Sequence, residues 1–331
     1  MTISRRVFVA AIALGATFAG IAPGTGTAVA ADPYPSRPVR IVVAYPPGGA
    51  VDTIARKVAH KLSEQMGQQF VIENKPGASG TIGAREVARA QPDGHTLLAI
   101  DNTYAILPYV FNKLPWNHAA DLIPITVSAF SPIMLVVGEN SRFADLQALV
   151  NAARQEPEKV TYGTGGNGSA PHFSAEAFQQ AANVKLFHVP YKGAGEAVVG
   201  VMSEQVDLVM ASPPSVMGNI RGGQMRALAI SGTRRVSALP DVPTFSEAGV
   251  PQFSVLNWSG LAAPKGTSPE IVVNKLQAEV AKALAAPDVK EFLAAQGSEP
   301  GGMTPDAFAQ LIQQETERWR DIAAKADIKR Q

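Results

Sequence analysis

The chain contains no cysteine. That absence excludes disulfide scaffolds, zinc fingers, ferredoxin-type clusters and thiol proteases. It also lacks an excess of either charge. Twenty-nine basic residues stand against 28 acidic ones, a formal net charge of +1. Arg5 and Arg6 fall in a stretch read below as a removable leader without acids, and the remainder carries −1. Such a chain has no electrostatic footprint for nucleic acid. Beyond residue 30 no apolar run is long enough to span a bilayer. The five histidines, His60, His95, His118, His172 and His188, form no H-x-x-x-H or H-E-x-x-H spacing, so no metal site is expected. There is no G-x-S-x-G; Gly77-Ala78-Ser79-Gly80 and Asn167-Gly168-Ser169-Ala170 come nearest, and both fail the pattern.

What is present is a globular composition over 331 residues, 46% hydrophobic and 17% charged. That length suggests two domains, each with a sizeable core. The first thirty residues read as an export signal. Arg5-Arg6 opens it, no charge follows from Val7 to Ala31, and Ala28-Val29-Ala30 offers a small-x-small cleavage site. The paired arginines before Phe8 fit a twin-arginine signal, and an ordinary Sec signal fits as well. No cysteine stands at the cleavage site to carry a lipid. The expectation is a periplasmic protein cleaved near Ala30. Free nucleotides are scarce there, which disfavours kinases and dehydrogenases and favours hydrolases and solute-binding proteins.

Strand and helix patterns alternate along the mature chain. Val39 to Ala44 is a β-branched run, broken by Tyr45-Pro46-Pro47-Gly48-Gly49. From Asp52 to Met66, Ile54, Ala55, Val58, Ala59, Leu62 and Met66 recur at helical spacing. Phe70–Ile72 and Thr96–Ile100 read as further strands around a helix at 81–90. This β-α-β-α-β order builds a mainly parallel sheet flanked by helices. The pattern restarts with a strand at 160–162, a glycine loop at 163–169 and a helix at 171–183. Strands at 186–189, 206–210 and 226–230 follow, with a helix at 194–204 between the first two. The tail is helical. One helix begins at Pro269, with Val272, Leu276, Val280 and Leu284 at four-residue steps. Another is N-capped by Thr304 and carries Phe308, Leu311, Ile312, Trp319 and Ile322. This final helix is expected to pack on the first domain. The expected organisation is a signal peptide over 1–30, a discontinuous first domain over 31–128 and 250–331, a second domain over 129–249, and a cleft between them.

Gly163-Thr164-Gly165-Gly166-Asn167-Gly168 fits G-x-G-x-x-G after a strand. A dinucleotide fold also needs an acid at the end of the next strand, and His188-Val189-Pro190-Tyr191 supplies none. What survives is a set of backbone N–H groups before a helix, an anion-binding arrangement to which Ser169 adds a hydroxyl. The alternative is a tight turn with a helix cap. Pro46-Pro47-Gly48-Gly49 repeats that logic, and Asp52, in the first helical turn, reads as a structural cap rather than a ligand contact. Ser169 and His172 make a poor nucleophilic pair; His172 reads better as a hydrogen-bond donor in the pocket or just behind its lining, and His60 and His118 as surface residues. Asp101-Asn102-Thr103-Tyr104, Tyr191-Lys192-Gly193 and Ser212-Pro213-Pro214 also follow strands. Ligands of open α/β sheets bind outside the carboxyl ends of strands, so these loops converge on one crevice if the domains face each other. Their Gly, Ser, Thr, Asn and Tyr make a binding lining rather than an acid–base set.

An ordered set of stretches now points to a family. These are Pro38-Val39-Arg40-Ile41-Val42-Val43, Pro47-Gly48-Gly49 with Asp52-Thr53-Ile54-Ala55-Arg56, Glu73-Asn74-Lys75-Pro76-Gly77-Ala78, Pro92-Asp93-Gly94-His95-Thr96-Leu97-Leu98, Tyr162-Gly163-Thr164-Gly165-Gly166-Asn167-Gly168-Ser169, Val189-Pro190-Tyr191-Lys192-Gly193, Arg226-Ala227-Leu228-Ala229-Ile230-Ser231 and Leu239-Pro240-Asp241-Val242-Pro243-Thr244-Phe245. The chain resembles the Bug (TctC-type) extracytoplasmic solute-binding receptors of tripartite tricarboxylate transporters across nearly its whole mature length. The resemblance implies an α/β, two-lobed periplasmic-binding-protein fold of the Venus flytrap, type II-like kind, without enzymatic activity or cofactor. It implies capture of a small carboxylate (a di- or tricarboxylate, an acidic amino acid or an aromatic acid) through backbone amides, hydroxyls and water. It also implies the membrane components of such a transporter as partners. Apart from the resemblance, a monomer is the default expectation. Carried over, the contacts are Tyr45, Gly48 and Gly49, then Asn102 and Thr103, then Gly165, Gly166 and Ser169, with His172, Tyr191 and Ser212 added. One departure stands out. The family usually carries a serine after the glycine pair, and Ala50-Val51 stands here instead, hinting at a less polar ligand end. A secreted serine hydrolase and a sensor or adaptor sharing the receptor fold are the alternatives.

Overall fold

The computed structural model describes residues 34–330 other than 119, 327 and 329. The leader read for residues 1–30 and its cleavage site lie outside the described residues. Val39-Arg40-Ile41-Val42-Val43 forms β1 (Val39–Val43), flanked on both sides by parallel strands. Its side chains alternate between two cores. Val39, Ile41 and Val43 pack with the apolar stripe of α1 (Ala50–Met66), while Val42 enters the core on the opposite face. Then come β2 (Phe70–Asn74), α2 (Thr81–Ala88), β3 (Thr96–Asp101), α3 (Asn102–Val110) and β4 (Leu122–Pro132). The chain continues through β5 (Met134–Gly138), α4 (Leu146–Gln155), β6 (Thr161–Thr164), α5 (Ala170–Ala182), β7 (Phe187–Pro190), α6 (Ala194–Met202), β8 (Leu208–Ala211), α7 (Pro213–Arg221) and β9 (Met225–Ile230). It ends with β10 (Leu256–Pro264), a π-helical segment at Glu270–Gln277 leading into α8 (Ala278–Ala285), α9 (Pro287–Ala295), β11 (Glu299–Pro300) and α10 (Pro305–Lys325).

Two sheets result. The first runs β11-β4-β10-β3-β1-β2 and the second β7-β6-β8-β5-β9. In each, one reversed strand lies between parallel ones, β10 in the first and β5 in the second, and the two-residue β11 adds a further reversed strand at the edge of the first. The fold is thus α/β and two-lobed, and both sheets share one arrangement. The reversed strands were not legible in the sequence, nor were β4, α3, α4 and α7.

The sheets meet where β4 passes into β5 through Ile133 alone. Ile133 donates its N–H to Ser231 Oγ at 2.7 Å, and Ser231 returns its N–H to Ile133 O at 2.7 Å. Ser231 Oγ donates onward to Val255 O at 2.5 Å, just before β10. One buried hydroxyl therefore ties both passages between the sheets. The helix α10 lies on α3 and β4, and reaches α5, where the Trp319 and Phe173 rings meet edge-on at 5.9 Å. The four apolar residues at four-residue steps, Val272, Leu276, Val280 and Leu284, are all buried, with the first two in π-helical backbone. No helix among the described residues is long and apolar enough to cross a membrane.

Candidate functional site

Between the two sheets lies a cavity of about 430 Å³. Its first wall is built from the loops after β1, β2 and β3, and its second from the loops after β6, β7 and β8. These are the carboxyl ends of parallel strands, where α/β sheets place ligands. Of the expected contacts, Tyr45, Gly49, Thr103, Gly165, Gly166, Ser169, Tyr191 and Ser212 line the cavity. Gly48, Asn102 and His172 do not.

The helix starts around the cavity differ in what they offer. In α5, Ala170 donates its N–H across the lobes to Thr103 Oγ1 at 3.0 Å, Pro171 has none, and the His172 N–H faces Ser169 Oγ at 3.4 Å. The anion-binding arrangement read from the glycine loop is therefore already capped at α5. In α7, Pro213 and Pro214 supply no N–H, and Ser215 N–H returns to Ser212 O at 3.0 Å. The donors that remain belong to α1 and α6. At these helix starts Gly49 and Val51, and Ala194 and Gly195, line the cavity with N–H groups that have no acceptor among the described residues. Both are helix N-termini, where partial positive charge gathers. Gly165 packs directly against the second of them, and a β-carbon there would come within 3.0 Å of Ala194 N.

The missing serine after Gly49 is answered from the other lobe. Ala50 N–H donates to Ser215 Oγ of α7 at 3.0 Å. Sequence reasoning missed Ser215, although Ser212-Pro213-Pro214-Ser215 is a helix start whose second hydroxyl falls one turn on. Besides this bond and that of Ala170 with Thr103, two more cross between the lobes, from Ser79 Oγ to Asn167 O at 2.7 Å and from Asn257 Nδ2 to Ser212 Oγ at 2.8 Å.

Asp52 stands behind the first loop and is almost fully buried. It accepts from Gly48 N–H, Arg56 Nε and Asn74 Nδ2 at 2.9 to 3.0 Å. Burial alone would raise this carboxyl, but the bonds from Arg56, Gly48 and Asn74 outweigh it and hold it below the usual range. The Gly48 N–H is thereby used within the loop. Asn102 is fully buried in a different network. It donates to Glu315 Oε2 of α10 at 3.0 Å, and its Oδ1 accepts from Trp258 N–H at 2.7 Å. It joins α3, β10 and α10 rather than facing the cavity.

His172 stacks on His188 at 4.1 Å, and His188 on Tyr162 at 4.9 Å, beneath the glycine loop. His172 Nδ1 accepts Gly168 N–H at 3.1 Å, and His188 Nε2 meets Thr164 Oγ1 at 2.6 Å. Burial pushes His188 down to about 4, and burial with the neighbouring imidazole pushes His172 down to about 3. Ser169 Oγ donates to Gly166 O at 2.8 Å. With its hydroxyl proton on a carbonyl, and His172 Nδ1 occupied by a backbone N–H, no Ser–His nucleophile is assembled here. His60 is exposed as expected. His118 is not a surface residue: it stacks on Tyr104 at 4.2 Å, with Nε2 on Tyr104 O at 2.6 Å. Among the described residues no group of three or more His, Asp or Glu is placed to hold a metal.

Known proteins share this architecture. Residues 54–328 match the model of the tripartite tricarboxylate transporter family receptor (TctC). A protein encoded between tcbD and tcbE in Pseudomonas sp. (strain P51) is 41% identical over 97% of this chain and 94% of its own length. Protein BugT of Bordetella pertussis is 35% identical over 92% of this chain and 94% of its own. Among solved structures, the periplasmic binding protein BugD superposes with a TM-score of 0.84 at 31% identity, covering 90% of this chain and 100% of that one. The R. palustris protein Rpa4515, solved with adipate, gives 0.86 at 33% identity, covering 90% and 100%.

Proposed function

Because this chain belongs to the family of tripartite tricarboxylate transporter receptors, we propose that it is a periplasmic receptor that captures a small carboxylate between its lobes and delivers it to the membrane components of such a transporter. It is a solute-binding protein of the Bug (TctC) type and not an enzyme. The observation that carries the reading is the pair of helix starts, α1 and α6, whose N–H groups are open on a cavity between the lobes. Two such termini can hold one carboxylate without a basic side chain, each contributing roughly 0.3–1 kcal/mol, and more when buried. The contacts proposed from the lining are Tyr45, Gly49, Thr103, Gly165, Gly166, Ser169, Tyr191 and Ser212, with Ser215 added. Gly48, Asn102 and His172 act behind the wall. Export with cleavage near Ala30, the two-domain boundaries given above and a monomeric state complete the proposal.

Closure on the ligand would shift an existing open–closed equilibrium. The bonds Ala50–Ser215 and Ser79–Asn167 form in the closed arrangement. A thermal-shift screen of refolded, ligand-stripped protein against organic acids and their amides tests the reading. At 100 times its dissociation constant a ligand stabilises by about 2.7 kcal/mol. A hit that vanishes on amidation supports the receptor; silence across the acids, with a control receptor responding, refutes it.

A further inference from the structure

Asp101 ends β3, caps α3 and forms part of the cavity wall. Its Oδ1 accepts Tyr45 OH at 2.6 Å and Thr103 N–H at 3.0 Å. Those two residues come from the β1–α1 loop and from α3, and Ser259 of β10 stands opposite Asp101 in the sheet. No cation pairs with it among the described residues. Lys192 is the single basic residue of the lining; it sits exposed on the β7–α6 loop of the other lobe and forms no ion pair with Asp101. Burial pushes the Asp101 carboxyl up, and the bonds from Tyr45 and Thr103 offset this only in part.

A carboxylate in the wall of a cavity built to take carboxylates needs an explanation. A closing ligand strips water from it, and a dehydrated charge is costly without a partner. A second carboxylate of the ligand beside it would meet like charge. An ammonium would supply the missing opposite charge, and a carboxylate bonded at one oxygen keeps further acceptor sites.

We propose that Asp101 is a specificity-determining residue of the cavity: it accepts N–H bonds from an ammonium on the bound acid, so that amino-substituted carboxylic acids are preferred and plain dicarboxylates are turned away. This rests on the carboxylate-receptor reading above.

Titration calorimetry of the exported protein with matched pairs tests it: aspartate against succinate, glutamate against glutarate, phenylalanine against 3-phenylpropionate. In at least one pair the amino member binds tenfold or more tightly than its partner. In Asp101→Asn, which keeps an N-cap and an acceptor for Tyr45 and Thr103, that advantage disappears and the dicarboxylates gain. Equal or tighter binding of the unsubstituted acids to the wild type overturns the proposal while leaving the receptor intact. So does an unchanged preference in Asp101→Asn. Silence from every acid removes the receptor reading and this proposal with it.

Discussion

Ala50, in the first turn of α1, donates its backbone N–H to Ser215 Oγ at the start of α7, 165 residues away and in the other lobe. One of the N–H groups at the α1 start is thus satisfied across the cavity by a side chain rather than within its own lobe. The bond exists only when the lobes meet, so it reports closure.

Ser215→Ala should remove that bond at little cost to the fold. A single neutral hydrogen bond contributes about 0.5–1.5 kcal/mol. The expected result is affinity reduced by up to about tenfold, since 1.4 kcal/mol is one decade. Small-angle scattering should show a wider particle without ligand, while the far-UV spectrum stays unchanged. An unaltered affinity and radius would mean that the bond plays no part in closure.

Gly168→Ala should hold the lobes apart. Gly168 sits at φ +76°, and a β-carbon there would come within 2.4 Å of Val110 Cγ2 in the first lobe. The backbone strain costs about 1 kcal/mol, and the clash is relieved by opening. The variant should bind carboxylates at least tenfold more weakly, and scattering should report an open form with and without ligand.

The strands beneath the cavity are legible because Val39-Arg40-Ile41-Val42-Val43 and Thr96-Leu97-Leu98-Ala99-Ile100 announce themselves, and glycine loops follow. The reversed strands are not. Small residues fill β10 at Ser259, Gly260, Ala262 and Ala263, and Pro124 and Pro132 interrupt β4; both owe their shape to neighbours across the sheet. Likewise α3 hides behind Asp101-Asn102-Thr103, which reads as loop chemistry although Asp101 caps a helix. Ser215 and Asn102 act through residues more than 150 positions distant, and local pattern carries no trace of such pairings.

Asn102→Ala should lower stability, not ligand choice. It leaves Trp258 N–H and the buried Glu315 carboxylate each short of a partner, and losing a buried polar partner costs about 1–3 kcal/mol. Denaturant melts should show the loss. The ranking of ligands by calorimetry should stay that of the wild type; a changed ranking would return Asn102 to the ligand contacts.

Acid should destabilise the protein through the stacked imidazoles. Both are held neutral in the fold, at about 3 for His172 and about 4 for His188, whereas in the unfolded chain they titrate near the ordinary 6.5. As pH falls below 6.5 the unfolded state binds protons first. Their share of the stability is therefore present above that pH and drains away down to about pH 4 and then 3. At 1.36 kcal/mol for each unit of separation, the loss should approach about 3 kcal/mol for His188 and about 5 kcal/mol for His172. In His188→Gln the fall of melting temperature between pH 6.5 and 4 should be shallower. An equal slope would place the acid sensitivity elsewhere.

The position of β10 has a consequence for how the molecule is made. The second sheet draws all five strands from residues 134–230, so an emerging chain can complete it as a unit. In the first sheet β10 lies between β3 and β4, and it is synthesised more than 120 residues after β4. Until it arrives, β4 has no neighbour linking it to β3, and the edges of both lie open. Pairings of such high contact order form slowly and leave strand edges exposed meanwhile. The amino-terminal half of the first lobe must therefore wait, unfinished, for the carboxy-terminal part of the chain.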